Sequence, residues 1–302
     1  MPGRSLNSSR DPYDFGKSEP KTKIVIHTNI DSLDDGAQFS RTKRRSPLIV
    51  SLTLAASMLL AQTGSLNGNP TTIPPESWQI VQLVNLARAE AGAGPLQWDA
   101  ALAEAARQHC MRMTAEELIE HQYEGESAVA ERAGRAGAHF SLIAESVAVG
   151  STPADIHSQW MRSPDDRTNL MNRQVDRIGV AIIASRGALY VVADYGRAVS
   201  ALTQSQVEAA IAGLLRHSGI AVLRDTTAAR AACLSDRRLS RSEAGPQPGF
   251  VFRWQDSELT HLPQALMDRI TSPQYSQAAV GSCPAQDVSG AFTTYRVAVL
   301  LY

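Results

Sequence analysis

No surplus of positive charge marks this chain. Its 29 lysines and arginines are offset by 30 aspartates and glutamates, for a net charge of −1 and an isoelectric point near 6.7. The basic field that nucleic-acid binding requires is therefore missing, and no motif of that class appears. Neither G-x-S-x-G nor H-E-x-x-H occurs, so a serine-hydrolase or zincin reading has little support. The apolar run from Leu48 to Ala61 has only 14 residues, short of the roughly 20 that a membrane-spanning helix needs. Cysteine is scarce: only Cys110, Cys233 and Cys283 are present. None follows the apolar run within reach, which excludes a lipoprotein signal.

What surrounds that run is informative. Arg41, Lys43, Arg44 and Arg45 precede it and the polar stretch TGSLNGNP follows it, which is the tripartite form of a secretory signal. This predicts export, with a secreted or periplasmic protein as the result. Two features complicate a simple signal peptide: about 40 polar residues precede the basic cluster, and no clean A-x-A site follows the run. A start codon assigned too far upstream explains the first. An uncleaved signal-anchor, holding the protein to a membrane by its N-terminal segment alone, is the competing reading. The expected order is a disordered leader over 1–46, a signal or anchor over 47–62 and a linker over 63–75, followed by about 230 residues, enough for one large or two small domains.

Those residues carry alternating helical and strand patterns. Ile80, Leu83, Val84 and Ala87 form one helical face after Pro74-Pro75, and Gly92 and Gly94 end it. Asp99 is a good N-cap for a second helix with Leu102, Ala105, Ala106, His109, Cys110 and Met113 on one stripe. Thr152-Pro153 starts a third, in which Thr152 and Asp155 give a capping-box pattern and Ile156 and Trp160 are the buried positions. Two β-rich runs, Ile178 to Ile183 and Ala188 to Tyr195, are joined by Ser185-Arg186-Gly187 as a hairpin. Three ligand-type side chains, His121, Glu145 and Asp166, fall at the edges of these elements.

The segments NLARAEAGAGPLQWDAALAEAARQH (85–109), IEHQYEGE (119–126), AERAGRAGAHFSLIAESVAVG (130–150), WMRSPDDRTNLMN (160–172) and VDRIGVAI…LYVVADYG (175–196) follow in an order that resembles the bacterial branch of the CAP superfamily. That superfamily comprises cysteine-rich secretory, antigen 5 and pathogenesis-related proteins. The resemblance covers roughly 76–197 and implies a mixed α/β (α+β) fold, an α-β-α sandwich with a cleft that in its fullest version holds two His and two Glu. His121 matches the first His of that set, and Glu145, in AES, matches the Glu of the family's GEN or AEN step. The family's SPGHRANIL motif reads SPDDRTNLM here, so Asp166 stands where the second His would be. The remaining Glu would fall near Ser163.

With one imidazole and two carboxylates, such a cleft would favour Ca²⁺, Mg²⁺ or Mn²⁺ over Zn²⁺ relative to the fuller set. Pairing of His121 with Glu145 to fix two loops is the alternative that involves no metal. His121 with Glu145 or Asp166 would also supply a general base for a metal-assisted hydrolase. No nucleophile is evident, although Ser127, Ser141, Ser146 and Ser163 lie nearby, and the loss of the second His weakens the enzymatic reading. The leading expectation is a non-catalytic exported protein that binds a lipid, a cell-envelope component or a partner protein at or beside the cleft. The cleft-lining loops 119–146 carry no recognisable substrate code. His109, His139 and His157 read as core-edge or surface histidines.

Residues 200–302 lie beyond the resemblance and read as a small C-terminal α/β region. Val207, Ala210, Ile211, Leu214 and Leu215 form a helical stripe after a Thr203–Gln206 capping box, with Gly219 at its end. The polar stretch 224–247 reads as a long loop, Gly249 to Trp254 as a strand, Leu262 to Ile270 as a helix and Thr294 to Tyr302 as a strand. Pro263, Thr271-Ser272-Pro273, Ala278-Ala279-Val280-Gly281 and Val297-Ala298-Val299-Leu300 faintly repeat the second half of the preceding domain, as a degenerate half-repeat or an unrelated appendage. In an exported chain Cys110, on an apolar stripe, is expected to stay a free thiol, which leaves Cys233 and Cys283 to form a disulfide.

Overall fold

The structure is a computed structural model that describes residues 24–26, 73–235, 247–285 and 292–302. The apolar segment 47–62 and most of the linker 63–75 lie outside the described residues, so the signal and anchor readings have no structural counterpart here. Among the described residues no helix is long and apolar enough to cross a membrane.

The first unit begins with α1 (Pro75–Glu90), β2 (Gln97–Trp98) and α2 (Ala100–Glu116). Proline suits the first turn of α1, where its missing N–H costs no hydrogen bond. The Asp99 carboxylate accepts from Ala101 N and Leu102 N and so caps α2. A short helix, α3 (Val129–Arg135), leads into the long strand β3 (Phe140–Gly150). Then come α4 (Pro153–Arg162), α5 (Pro164–Met171) and the hairpin of β4 (Arg177–Ser185) with β5 (Ala188–Ala198). Arg186 and Gly187 turn that hairpin with φ of 53° and 82°, the left-handed pair that a two-residue connection demands.

These strands form a sheet in the order β3-β5-β4-β2, extended beyond β3 by β1 (Ile24–Ile26). On one face α1, α4 and α5 bury Ile80, Val84, Trp160 and Leu170 against Ala144, Val191 and Tyr195. On the other, α2 and α3 bury Leu102, Ala105, Ala130 and Ala133 against Phe140 and Ile143, and Ala106, Cys110 and Met113 against Ala181 and Val192. The result is the expected α-β-α sandwich. The Arg88 guanidinium is buried within it and donates to the carbonyls of Gly94, Leu170, Asn172 and Val175, tying α1 to the chain on either side of it.

Three expectations need correction. The leader is not without structure throughout, because Ile24–Ile26 pair in parallel with Ile143–Glu145; an Ile-Val-Ile run is β-branched and the outer edge of β3 offers it unpaired backbone groups. The span 119–146 is not all loop, since it holds α3 and the start of β3. The polar stretch 224–247 contains α7 (Thr227–Leu234), an alanine-rich helix that buries Ala229, Ala232 and Cys233. Alanine favours helix with no side-chain entropy cost, and the polar residues that follow it obscured the signal.

The C-terminal unit repeats more than half of the first. It runs α6 (Gln204–His217), β6 (Ala221–Val222), α7, β7 (Phe250–Asp256), α8 (Gln264–Ile270), β8 (Gln277–Cys283) and β9 (Tyr295–Leu301). Its sheet has the order β7-β9-β8-β6, with β7-β9 and β8-β9 antiparallel and β6-β8 parallel. The first unit has the same pairings at β3-β5, β4-β5 and β2-β4. The layers correspond too: α6 and α8 pack on one face against Val280, Val297 and Val299, and α7 packs on the other against Ala279, Ala298 and Leu300.

The two units also share a close approach. A Cβ on Gly179 would lie 2.0 Å from Ala103 N in α2, and a Cβ on Gly281 would lie 2.2 Å from Arg230 N in α7. Each glycine lets a helix backbone settle directly on the sheet. The Cys233–Cys283 disulfide joins α7 to β8 across a Cα separation of 5.8 Å, and Cys110 is free and buried. The units meet where Thr293 N donates to Phe140 O at 2.9 Å and Phe292 packs edge-on against Phe140.

Candidate functional site

Two of the three expected residues meet directly. His121, just past α2, places Nδ1 2.9 Å from Oε1 of Glu145 on β3, with 7 % and 1 % of the two side chains exposed. A carboxylate only accepts, so Nδ1 carries the proton in this bond. The Glu145 backbone carbonyl accepts from Asn169 Nδ2 on α5 at 3.0 Å, which fixes the strand as well as the side chain.

Asp166 sits differently. Ser163 caps α5 by accepting from Asp166 N, and the neighbours that act on the Asp166 carboxyl are the hydroxyls of Ser146 and Ser163, with the charge of His121 reaching it from farther off. Glu145 and Ser146 are consecutive in β3 and so point to opposite faces of the sheet. Asp166 therefore keeps company with Ser146 and Tyr195, whose hydroxyl responds to its charge. Burial, the largest influence, pushes the Asp166 carboxyl above the ordinary range.

The groups that do complete the site come from elements the sequence reading passed over. Arg132 on α3, 4 % exposed, pairs through Nη2 with Glu145 Oε2. Its Nη1 donates to Ser127 O at 2.9 Å and to His121 O at 3.4 Å, and lies 3.8 Å from Glu126 Oε1. Glu126 in turn meets His109 Nδ1 at 2.8 Å, while His109 Nε2 is 2.8 Å from Glu120 O. A carboxylate and a carbonyl hold the ring from both of its nitrogens. His109, read as a core-edge histidine, is thus part of a buried polar chain running Glu120–His109–Glu126–Arg132–Glu145–His121. The spacing of His109 on the α2 stripe gave no sign of this, because its partners lie in the irregular stretch that follows.

Asp194 adds a second carboxyl. It lies on β5 directly opposite Glu145 on β3, fully buried, where no N–H of the described residues donates to its oxygens and its hydrogen-bonding neighbour is the Glu145 carboxylate. Burial and the adjacent Glu145 charge push its carboxyl well above the ordinary range. Burial pushes Glu145 up as well, but the hydrogen bond from His121 and the charges of Arg132 and His109 outweigh it, and Glu145 ends below its usual value. Of this facing pair, Glu145 carries the charge and Asp194 holds the proton.

A divalent metal does not fit this donor set. Both Glu145 oxygens are engaged, one by an imidazole N–H and one by a guanidinium. Asp166 is directed to the Ser146 side, and among the described residues no group of three or more His, Cys, Asp or Glu is placed to hold an ion.

The geometry agrees with what the chain is similar to. Residues 81–195 match the model of the cysteine-rich secretory protein family, CAP. The uncharacterized protein YkwD of Bacillus subtilis (strain 168) is 26% identical over 125 residues, which is 41% of this chain and 49% of that protein. The chain thus spans about half the length of the curated relative it matches. Among solved structures, an extracellular SCP-domain protein of Bacillus anthracis is 23% identical with a TM-score of 0.38, covering 42% of this chain and 44% of the other. An outer surface protein of Borrelia burgdorferi is 19% identical with a TM-score of 0.39, covering 42% of this chain and 96% of the other. Residues 81–195, which carry this site, thus match the CAP family, and within them the chain is similar to bacterial members of it.

Proposed function

We propose that this chain is an exported, non-catalytic CAP protein that binds a lipid, a cell-envelope component or a partner protein at or beside the cleft. The observation that carries this reading is the state of Glu145. Each of its oxygens already accepts from a side chain of the protein, His121 on one and Arg132 on the other, and with 1 % of the side chain exposed the carboxylate is held inside the fold, not presented to a water. A general base must reach the proton it removes, and here the acid–base groups are spent on one another. Export is supported by the basic cluster and apolar run at 41–61, and either cleavage or anchoring there parts Ile24–Ile26 from the edge of β3, so the exported domain keeps the sheet β3-β5-β4-β2 without β1. Anchoring by an uncleaved N-terminal segment is the variant of this reading that membrane fractionation separates from secretion.

Native mass spectrometry of the protein recovered from the outside of the cell, beside a panel of peptide, ester and lipid hydrolysis assays, tests the proposal. The expected result is a processed chain without turnover and with a co-purifying envelope molecule. Hydrolysis that disappears in a Glu145→Gln chain shown to be folded by its circular dichroism spectrum would instead establish the hydrolase reading.

A further inference from the structure

Once Ile24–Ile26 are parted from it, β3 is the outermost strand of the exported sheet, and an outermost strand presents a row of unpaired N–H and C=O groups. Much of that row is covered by the protein itself. The carbonyls of Glu145, Val147 and Val149 accept from Asn169 Nδ2 at 3.0 Å, Trp160 Nε1 at 3.3 Å and Gln159 Nε2 at 3.2 Å, on α5 and α4. At the other end of the strand, Phe140 O accepts from Thr293 N of the second unit at 2.9 Å. Ile143 shares the parity of the three covered carbonyls, yet among the described residues no side chain donates to its own. The cover therefore has a gap at Ile143–Glu145, and that is the stretch along which Ile24–Ile26 lie in parallel register.

We propose that this gap is a docking edge for an extended, β-branched peptide segment of a partner protein, which joins the sheet as a strand parallel to β3. The chain carries a stand-in for that occupant. An Ile-Val-Ile run favours extended backbone, and its three residues fill the gap between the cover supplied by Thr293 and that supplied by α4 and α5. Because Ile143 and Glu145 turn their backbone groups outward, Val25, paired with Ala144 between them, is the residue whose N–H and C=O both face β3. Strand addition takes its affinity from such main-chain bonds and its specificity from alternate side chains, so a short β-branched run is recognised rather than one fixed sequence. A lipid tail has no ladder of N–H and C=O groups to offer, and the edge accordingly selects a protein from among the occupants proposed above. The inference rests on the export reading only for removal of the leader; the gap itself belongs to the folded domain.

The probe is a synthetic peptide of residues 21–30, KTKIVIHTNI. It is titrated against the whole chain, against its Val25→Pro variant, in which proline lacks the N–H that the ladder needs, and against the protein recovered from outside the cell. In the native whole chain the leader competes as a tethered strand at an effective concentration on the order of mM. Val25→Pro and the exported form are therefore expected to bind the peptide at least about tenfold more tightly than the native whole chain. Hydrogen exchange at Ile143–Glu145 should slow as the peptide binds, and a peptide N-methylated at Val25, which keeps every side chain but loses that donor, should have no effect. Equal affinity of the native and Val25→Pro chains, or no binding by Val25→Pro, overturns the proposal, as does binding that survives N-methylation. An exported form that dimerises and excludes the peptide also overturns it, by assigning the edge to a second copy. Protein found only in the cytoplasm would sink the export reading, while peptide binding by Val25→Pro would still establish the edge.

Discussion

Glu145 and Asp194 face one another from paired positions on β3 and β5, and they divide a single charge between two buried carboxyl groups. Like charges so placed cannot both ionise cheaply. The partners decide which one does: His121 and Arg132 bond Glu145 alone.

This division makes stability depend on pH. Between its unfolded value near 3.8 and its raised folded value, Asp194 keeps in the folded chain a proton that the unfolded chain has released, so its contribution falls as pH rises. Glu145 works in the opposite sense, but its contribution is present above about 4.5 and is lost only as pH falls through its lowered folded value. Asp194→Asn, which is neutral at every pH, is expected to melt above the native protein at pH 8 by about 2–4 °C for each kcal/mol gained. That gap should close toward pH 4. A difference that does not change across thermal melts at pH 4, 6 and 8 would show that Asp194 carries no retained proton.

Breaking the buried pair at its centre should cost far more. Glu145→Gln keeps the shape but leaves Arg132 facing an amide, and unpairing a buried ion pair typically costs about 3–5 kcal/mol. Urea unfolding measures this. A loss below about 1 kcal/mol would mean that Glu126 alone is counter-ion enough for Arg132.

The two helix-to-sheet contacts admit no added carbon. Gly179→Ala and Gly281→Ala each drive a methyl into helix backbone, and overpacking of this kind costs about 1–3 kcal/mol or more. Because the clash is with α2 in one case and α7 in the other, each variant should loosen its own unit first. Hydrogen exchange reports which amides lose protection; equal loss in both units from either change would count against separate packing.

The cysteines should differ sharply in chemistry. Cys110 donates to Tyr190 O at 3.2 Å, and burial raises its thiol to about 12, so alkylation at pH 8 should wait for unfolding, since the thiolate is the reactive form. Cys233 and Cys283 close a separation of 50 residues, and reduction should cost about 3–4 kcal/mol in the chain-entropy model. Peptide mapping without reductant, followed by urea unfolding of the oxidised and reduced chains, checks both points.

Much of this fold is legible in the order of residues. The α2 stripe from Leu102 to Met113 is buried at every expected position, and Thr203 with Gln206 forms the reciprocal cap its spacing announces. Tyr295, Val297, Val299 and Leu301 all enter one core, as strict alternation requires. The site is legible only in part. His121 and Glu145 are visible through family motifs, yet Arg132 and Asp194, although they lie in segments that carry the resemblance, match none of its cleft residues and join the site only when α3 and β5 bring them against Glu145. Asp166 occupies a familiar place in the motif, but the parity of β3 assigns its neighbour Ser146 to the opposite face from Glu145. Such facts are set by register and layer, which a local pattern does not encode.

In both units the last strand made lies inside the sheet, with β5 between β3 and β4 and β9 between β7 and β8. A growing chain therefore assembles each sheet from the outside in. The first unit has its keystone once residue 198 has emerged, and it can close while the rest is still being synthesised. The second has no such freedom. Until residue 301 is available, β7 and β8 have nothing between them, and β8 has only helices and β6 to rest on. The Cys233–Cys283 bond, which joins α7 to β8, thus ties together the part of the second unit that precedes its last strand.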